Sequence, residues 1–159
     1  MRRHGDPIAE FMQEHNEALI QLKLLSRSTQ SILQHGYSSQ AYRNVLVAMR
    51  FIEKEVREHN KKEEQALFPI LERYVEGPTR VMRNDHKKLR KGFRRLRLSV
   101  DRFNQNRDSF SAIKGLAGVS KDVIQVFVNH IHKENHILFP LVQQFLSKEE
   151  MREVAKKMM

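Results

Sequence analysis

The chain has 159 residues, no cysteine and a net charge of +10. The missing cysteine excludes disulfides, thiolate metal ligands and cysteine nucleophiles. With 40% apolar and 30% charged residues, and only six glycines and four prolines, the composition describes a globular chain that favours helix, and no window approaches the roughly 18 apolar residues of a membrane span.

Residues 1–5 read as a loose tail without the apolar run of a secretory signal, so the expected location is the cytoplasm. Asp6-Pro7 pairs a cap residue with a proline suited to a first helical turn. The helix that follows carries an apolar stripe of Ile8, Met12, His15, Leu19, Leu22 and Leu25, and stops at His35-Gly36. Ser38 or Ser39 caps a second helix. Its stripe runs Val45, Met49, Ile52, Val56, His59, Glu63, Ala66 and Ile70, with an end expected near Gly77. Pro69 lies inside that stripe and predicts a kink.

Gly77-Pro78 opens a third helix with the stripe Met82, His86, Leu89, Phe93, Leu96, Val100 and Phe103. Asp108 or Ser109 caps a fourth, with the stripe Ile113, Leu116, Val119, Val123, Val126, His130, Glu134, Ile137 and Leu141. Ser147-Lys148-Glu149-Glu150 is a capping box that starts a short last helix. These elements predict an all-α fold: an up-down-up-down four-helix bundle with a short C-terminal fifth helix, forming one domain over 1–159.

Charge is concentrated on the third helix. Between Arg80 and Arg107, eleven lysines and arginines face only Asp85 and Asp101, which places +9 of the chain's +10 there. Such a field suits an anionic partner: nucleic acid, anionic lipid or an acidic protein. The plainer reading is a solvated face, and without aromatic interleaving it does not suggest base readout.

The chain repeats itself. His59-Asn60-Lys61-Lys62-Glu63 and His130-Ile131-His132-Lys133-Glu134 are each followed by Leu-Phe-Pro after three further residues. A shift of 71 residues carries Pro7 to Pro78, His15 to His86, His59 to His130, Glu63 to Glu134 and Glu14 to Asp85. The quasi-repeats run over about 6–76 and 77–147, and imply a pseudo-two-fold axis through the bundle. A histidine and a carboxylate four residues apart share one helical face. His15, His59, Glu63, His86, His130 and Glu134 all fall on inward stripes. Buried carboxylates need compensation. Metal ions would supply it, and imidazole with carboxylate suits iron, with manganese or zinc as alternatives. A buried polar network without metal is the bland alternative.

These motifs resemble the hemerythrin-like (HHE cation-binding) domains. The resemblance covers about Asp6 to Phe145 and rests on Glu14-His15, His59-x-x-x-Glu63 with Leu67-Phe68-Pro69, Asp85-His86, and His130-x-x-x-Glu134 with Leu138-Phe139-Pro140. It implies a non-heme di-iron centre with an oxo or hydroxo bridge. His15 and His59 would bind one iron, His86 and His130 the other, and Glu63 and Glu134 would bridge them. Oxygen-carrying members have a further histidine where this chain has Arg90. The four-histidine, two-glutamate pattern is more similar to the bacterial iron-centre repair and nitric-oxide-response branch. Members of that branch often carry an additional cysteine-containing N-terminal segment, and this chain has no cysteine.

The resemblance implies a protein that binds O2, NO or peroxide for sensing, scavenging or iron handling. The alternatives are a di-iron enzyme (peroxidase, NO reduction or iron-centre repair) and a basic-face binding module with a structural metal. Outside the six residues, Glu64, His4, His35, His132 and His136 read as surface, with His136 nearest the site edge. Tyr42 and Tyr74 are candidate hydrogen-bond partners for the outer nitrogens of the site histidines.

Overall fold

The computed structural model describes residues 5–159, so His4 and most of the expected tail lie outside the described residues. Helix α1 is Pro7–His35 and α2 is Ser39–Lys62, continued through Glu63–Leu67 and Phe68–Leu71. Helix α3 is Gly77–Gln105. Helix α4 is Phe110–Lys133, continued through Glu134–Leu138 and Phe139–Phe145, and α5 is Lys148–Lys157. The four long helices form the up-down-up-down bundle, and there is no strand among the described residues.

Local chemistry sets the ends. Asp6, Ser38 and Ser109 accept hydrogen bonds from the amides of Ile8, Ala41 and Ala112. Gly36 ends α1 at φ 82°, where a side chain would strain the backbone. Ser147 and Glu150 form the reciprocal box that starts α5. Helix α2 stops at Leu71, short of Gly77, and Glu72 just beyond it reaches the next helix. Its carboxylate accepts from the Thr79 hydroxyl at 2.6 Å and from Arg83 at 3.0 Å. Gly92 lets α3 approach α4 closely: a Cβ there would lie 3.1 Å from Val123 Cγ2.

The expected kink at Pro69 takes a specific form, which recurs before Pro140. Glu63–Leu67 and Glu134–Leu138 are π-helical turns. The amides of Phe68 and Phe139 donate to the carbonyls of Glu63 and Glu134, five residues back. Pro69 and Pro140 lack an N–H, and in a tighter turn their rings would meet the carbonyl four residues earlier. The wider turn removes that conflict.

In α4 the extra residue also shifts the inward face. Ile137, expected inside, is 54% exposed, and Leu141 is half-buried, while Leu138, Phe139 and Val142 fill the core. Two other stripe positions differ. Met12 and Val126 are exposed, because Phe11 and Phe127 take the inward places against Phe139 and Phe93.

Two apolar clusters result. One holds Leu22, Val45, Ile52, Leu96 and Phe103 with their neighbours. The other holds Phe11, Phe68, Met82, Leu138 and Phe139, and α5 adds Val154 to it. Each long helix crosses from one cluster to the other, and its site residues lie at the crossing. Substituting Leu138→Ala should cost about 2–5 kcal/mol. Ile137→Lys should stay within about 0.5 kcal/mol. Urea midpoints check this, and an equal loss at both positions would contradict the phase shift.

Candidate metal centre

The six inward residues meet in a polar layer between the two apolar clusters. His15, His59, Glu63, His86, His130 and Glu134 are all at most 6% exposed, and both glutamates are fully buried. Their inner atoms converge. His15 Nε2 lies 2.8 Å from Glu134 Oε1 and 3.2 Å from His59 Nε2. His59 Nε2 lies 2.8 Å from Glu63 Oε1, and His130 Nε2 lies 3.4 Å from Glu134 Oε1. His86 Nε2 lies 3.6 Å from Glu63 Oε1.

Each histidine is aimed by a hydrogen bond at its other nitrogen. His59 Nδ1 bonds Glu14 at 3.0 Å, His86 Nδ1 bonds Glu64 at 3.0 Å, and His130 Nδ1 bonds Asp85 at 3.1 Å. His15 Nδ1 lies 2.8 Å from the amide oxygen of Asn135. An ionised carboxylate only accepts, so Nδ1 donates at the three carboxylate contacts, and a neutral ring then offers the Nε2 lone pair inward. Lys62 and Lys133 steady Glu14 and Asp85 in turn, at 2.5 and 3.1 Å. Phe68 stacks on His86 and Phe139 on His15, with centroids 5.9 and 5.5 Å apart. The two phenylalanines are buried and keep water off one side of the layer.

Glu63 Oε2, Glu134 Oε2 and His86 Nε2 are buried without a hydrogen-bond partner, and Glu63 Oε1 and His130 Nε2 have only the ion-pair contacts given above, without hydrogen-bond geometry. Orphaned polar atoms of this kind are costly, and cations are the partners that this donor set fits. Two donor groups have the required spacing: Glu63, His86, His130 and Glu134, and His15, His59 and Glu134, with ligand atoms in each within 4.8 Å of one another.

The family model of the hemerythrin HHE cation binding domain matches residues 6–142. The chain belongs to this family. A probable iron-sulfur cluster repair protein of Haemophilus influenzae is 29% identical over 139 residues, covering 85% of this chain and 61% of that protein. The iron-sulfur cluster repair protein YtfE of Yersinia pseudotuberculosis is 26% identical over 137 residues, covering 84% of this chain and 61% of that protein. The chain thus spans about 61% of the length of these curated relatives.

In this hemerythrin-like centre the histidines are oriented by Glu14, Glu64, Asp85 and Asn135, not by tyrosines. Tyr42 packs on Tyr37 and Phe103 at the far end of the bundle, and Tyr74 donates to Glu150 at 2.6 Å. Glu64, expected at the surface, is the acceptor for His86. A signal for it existed. The 71-residue shift carries Glu64 to Asn135 and Lys62 to Lys133, so the outer contacts repeat along with the inner ones. His132 and His136 are exposed and pack on each other, and His35 is exposed at the end of α1. Arg90 stands on the exposed face of α3.

The electrostatics describe the same layer. Burial pushes the His59 and His130 pKa values down, but the carboxylates around them outweigh it. Glu63, Glu134 and Glu14 raise His59 well above its usual value, and Glu134, Glu63 and Asp85 raise His130 to about 9. Burial pushes Glu134 up, and its contacts with Glu63, His130 and His15 bring it well below its usual value. Protons on His59 and His130 therefore compensate the buried carboxylates when metal does not. A raised histidine pKa stabilises the fold fully below its ordinary value of 6.5, and that contribution is lost as pH rises through the folded value. The metal-free protein should lose stability between pH 6.5 and 9, and loading metal at neutral pH should release protons. Urea midpoints across that window and proton release during titration check both. A flat profile with no released protons would contradict the charge balance.

Proposed function

We propose that the chain is a non-heme di-iron protein that handles iron in the repair of iron-sulfur centres and responds to a small ligand such as NO, O2 or peroxide. The observation that carries the reading is the set of orphaned Glu63, Glu134, His86 and His130 atoms facing one another in a buried layer. His15 and His59 would hold one iron, His86 and His130 the other, and Glu63 and Glu134 would span the pair. Imidazole and carboxylate donors without thiolate favour iron, as in other carboxylate-bridged centres inside helical bundles. Bound iron would supply redox chemistry and open coordination positions. The chain's own residues orient the ligands through Glu14, Glu64, Asp85 and Asn135, and exclude water with Phe68 and Phe139. A cavity of about 20 Å³ borders His15, His59, His130 and Glu134, with Val56 and Phe127 among its walls. Space on this scale admits a molecule the size of water. The names of the repair-protein relatives support the iron-handling part.

Anaerobically purified protein should contain about two irons per chain, and His59→Ala or Glu134→Ala should each lower that content. NO added to the reduced protein should change its optical spectrum. A full metal complement in both variants would remove the ligand assignment.

One further observation favours an acidic macromolecular partner. A groove of about 460 Å³ between α2 and α3 is lined by Arg57, Lys61, Arg90 and Arg94. Arg97 in the same groove pairs with Glu53 at 2.8 Å, whereas those four have no carboxylate within ion-pair distance among the described residues. The groove also reaches Glu64, the partner of His86. We propose that an acidic protein surface docks there. Binding of such a partner should weaken with salt and fall at least about tenfold in Arg90→Glu/Arg94→Glu, in line with loss of paired interface charges. The iron content should not change. Unchanged affinity in that variant would make this a solvated face.

A further inference from the structure

The two halves of the centre match in chemical type at every position with one exception, and that exception makes them unequal. The 71-residue shift relates Glu14, Lys62 and His59 to Asp85, Lys133 and His130. In both sets the histidine bonds a carboxylate that a lysine neutralises. The same shift relates Glu64 to Asn135, and their contacts cross over: Glu64 bonds His86, and Asn135 bonds His15. One histidine therefore leans on a carboxylate and its counterpart on a neutral amide. No lysine or arginine lies within ion-pair distance of Glu64 among the described residues, so its charge acts on His86.

A carboxylate that accepts the Nδ1 proton makes Nε2 a more basic ligand, and an amide does so less. The difference therefore falls between the two metal positions. The His86 and His130 position has two anionic supports, and the His15 and His59 position has one.

We propose that the position at His15 and His59 is the weaker and more labile of the two, and that Asn135 makes it so. This rests on the di-iron reading and deepens it: the chain retains one iron at His86 and His130 while it exchanges the other. Asn135 is a positioning residue, acting on the metal through His15.

The test uses the full chain loaded with ferrous iron under anaerobic conditions and mixed with an excess of a ferrous chelator. Release should be biphasic with equal amplitudes. His15→Ala should remove the fast phase and leave the slow one. Asn135→Glu, which gives the weak half the residue of its counterpart, should slow the fast phase about 10-fold or more, the range seen when a supporting carboxylate is lost or gained. Glu64→Asn should speed the slow phase by a similar factor. The ferrous absorption or Mössbauer signals of the two irons should converge in Asn135→Glu, which a merely structural substitution would not cause. A chain that holds two irons and releases them at one rate overturns this inference alone. So does a fast phase that Asn135→Glu leaves unchanged. A chain that holds only one iron overturns the di-iron reading and this inference together.

Discussion

Two carboxylates, Glu63 and Glu134, sit fully buried in the middle of the bundle. Most of the local structure answers to that constraint. An ionised carboxylate in such a place is tolerated only with positive charge or hydrogen bonds around it. The histidines around them supply both, with His59 and His130 held toward their protonated forms and all four rings aimed at the layer. They can do so only if each ring is held with Nε2 inward, and the outer partners on Nδ1 fix that orientation. The apolar clusters on either side seal the layer and raise the cost of any mismatch within it.

Helix geometry serves the same end. His59 and Glu63 occupy one face of α2 one turn apart, and His130 and Glu134 do likewise on α4. The π turn begins at each glutamate. Before it, the helix presents its histidine and glutamate; after it, the helix presents Phe68 or Phe139 to cover a histidine of another helix. One irregular turn thus joins a polar face to an apolar one at the place where the function of the surface changes.

Much of this was legible in the sequence. The four helices, their caps, and the inward placement of the six repeated residues followed from periodicity and from one offset. Three things did not. Apolar periodicity assumes a constant turn, so it placed Ile137 inside and missed that a π turn moves Leu138 and Phe139 there. It also could not rank Met12 against Phe11, or Val126 against Phe127, since both members of each pair are apolar neighbours and tertiary packing decides between them. The outer partners were missed for a different reason. Glu64 lies about 100° around the helix from Glu63, and a neighbouring helix had to be placed before His86 came within its reach. The repeat held the clue, because Glu64 and Asn135 share the offset of the ligands, but a glutamate matched to an asparagine looks like drift until both are seen on a histidine.

The π turns also change what a single lost or gained residue would mean. In a regular surface helix, removing one residue from an end shortens it. Within Glu63–Leu67 or Glu134–Leu138 it would convert the wide turn to an ordinary one and swing the following segment by about 100° about its axis. The covering phenylalanine would leave its histidine, and an exposed residue such as Ile137 would face inward. Chain length here acts as an angular setting, fixed in this chain by the place of Pro69 and Pro140 in the two turns.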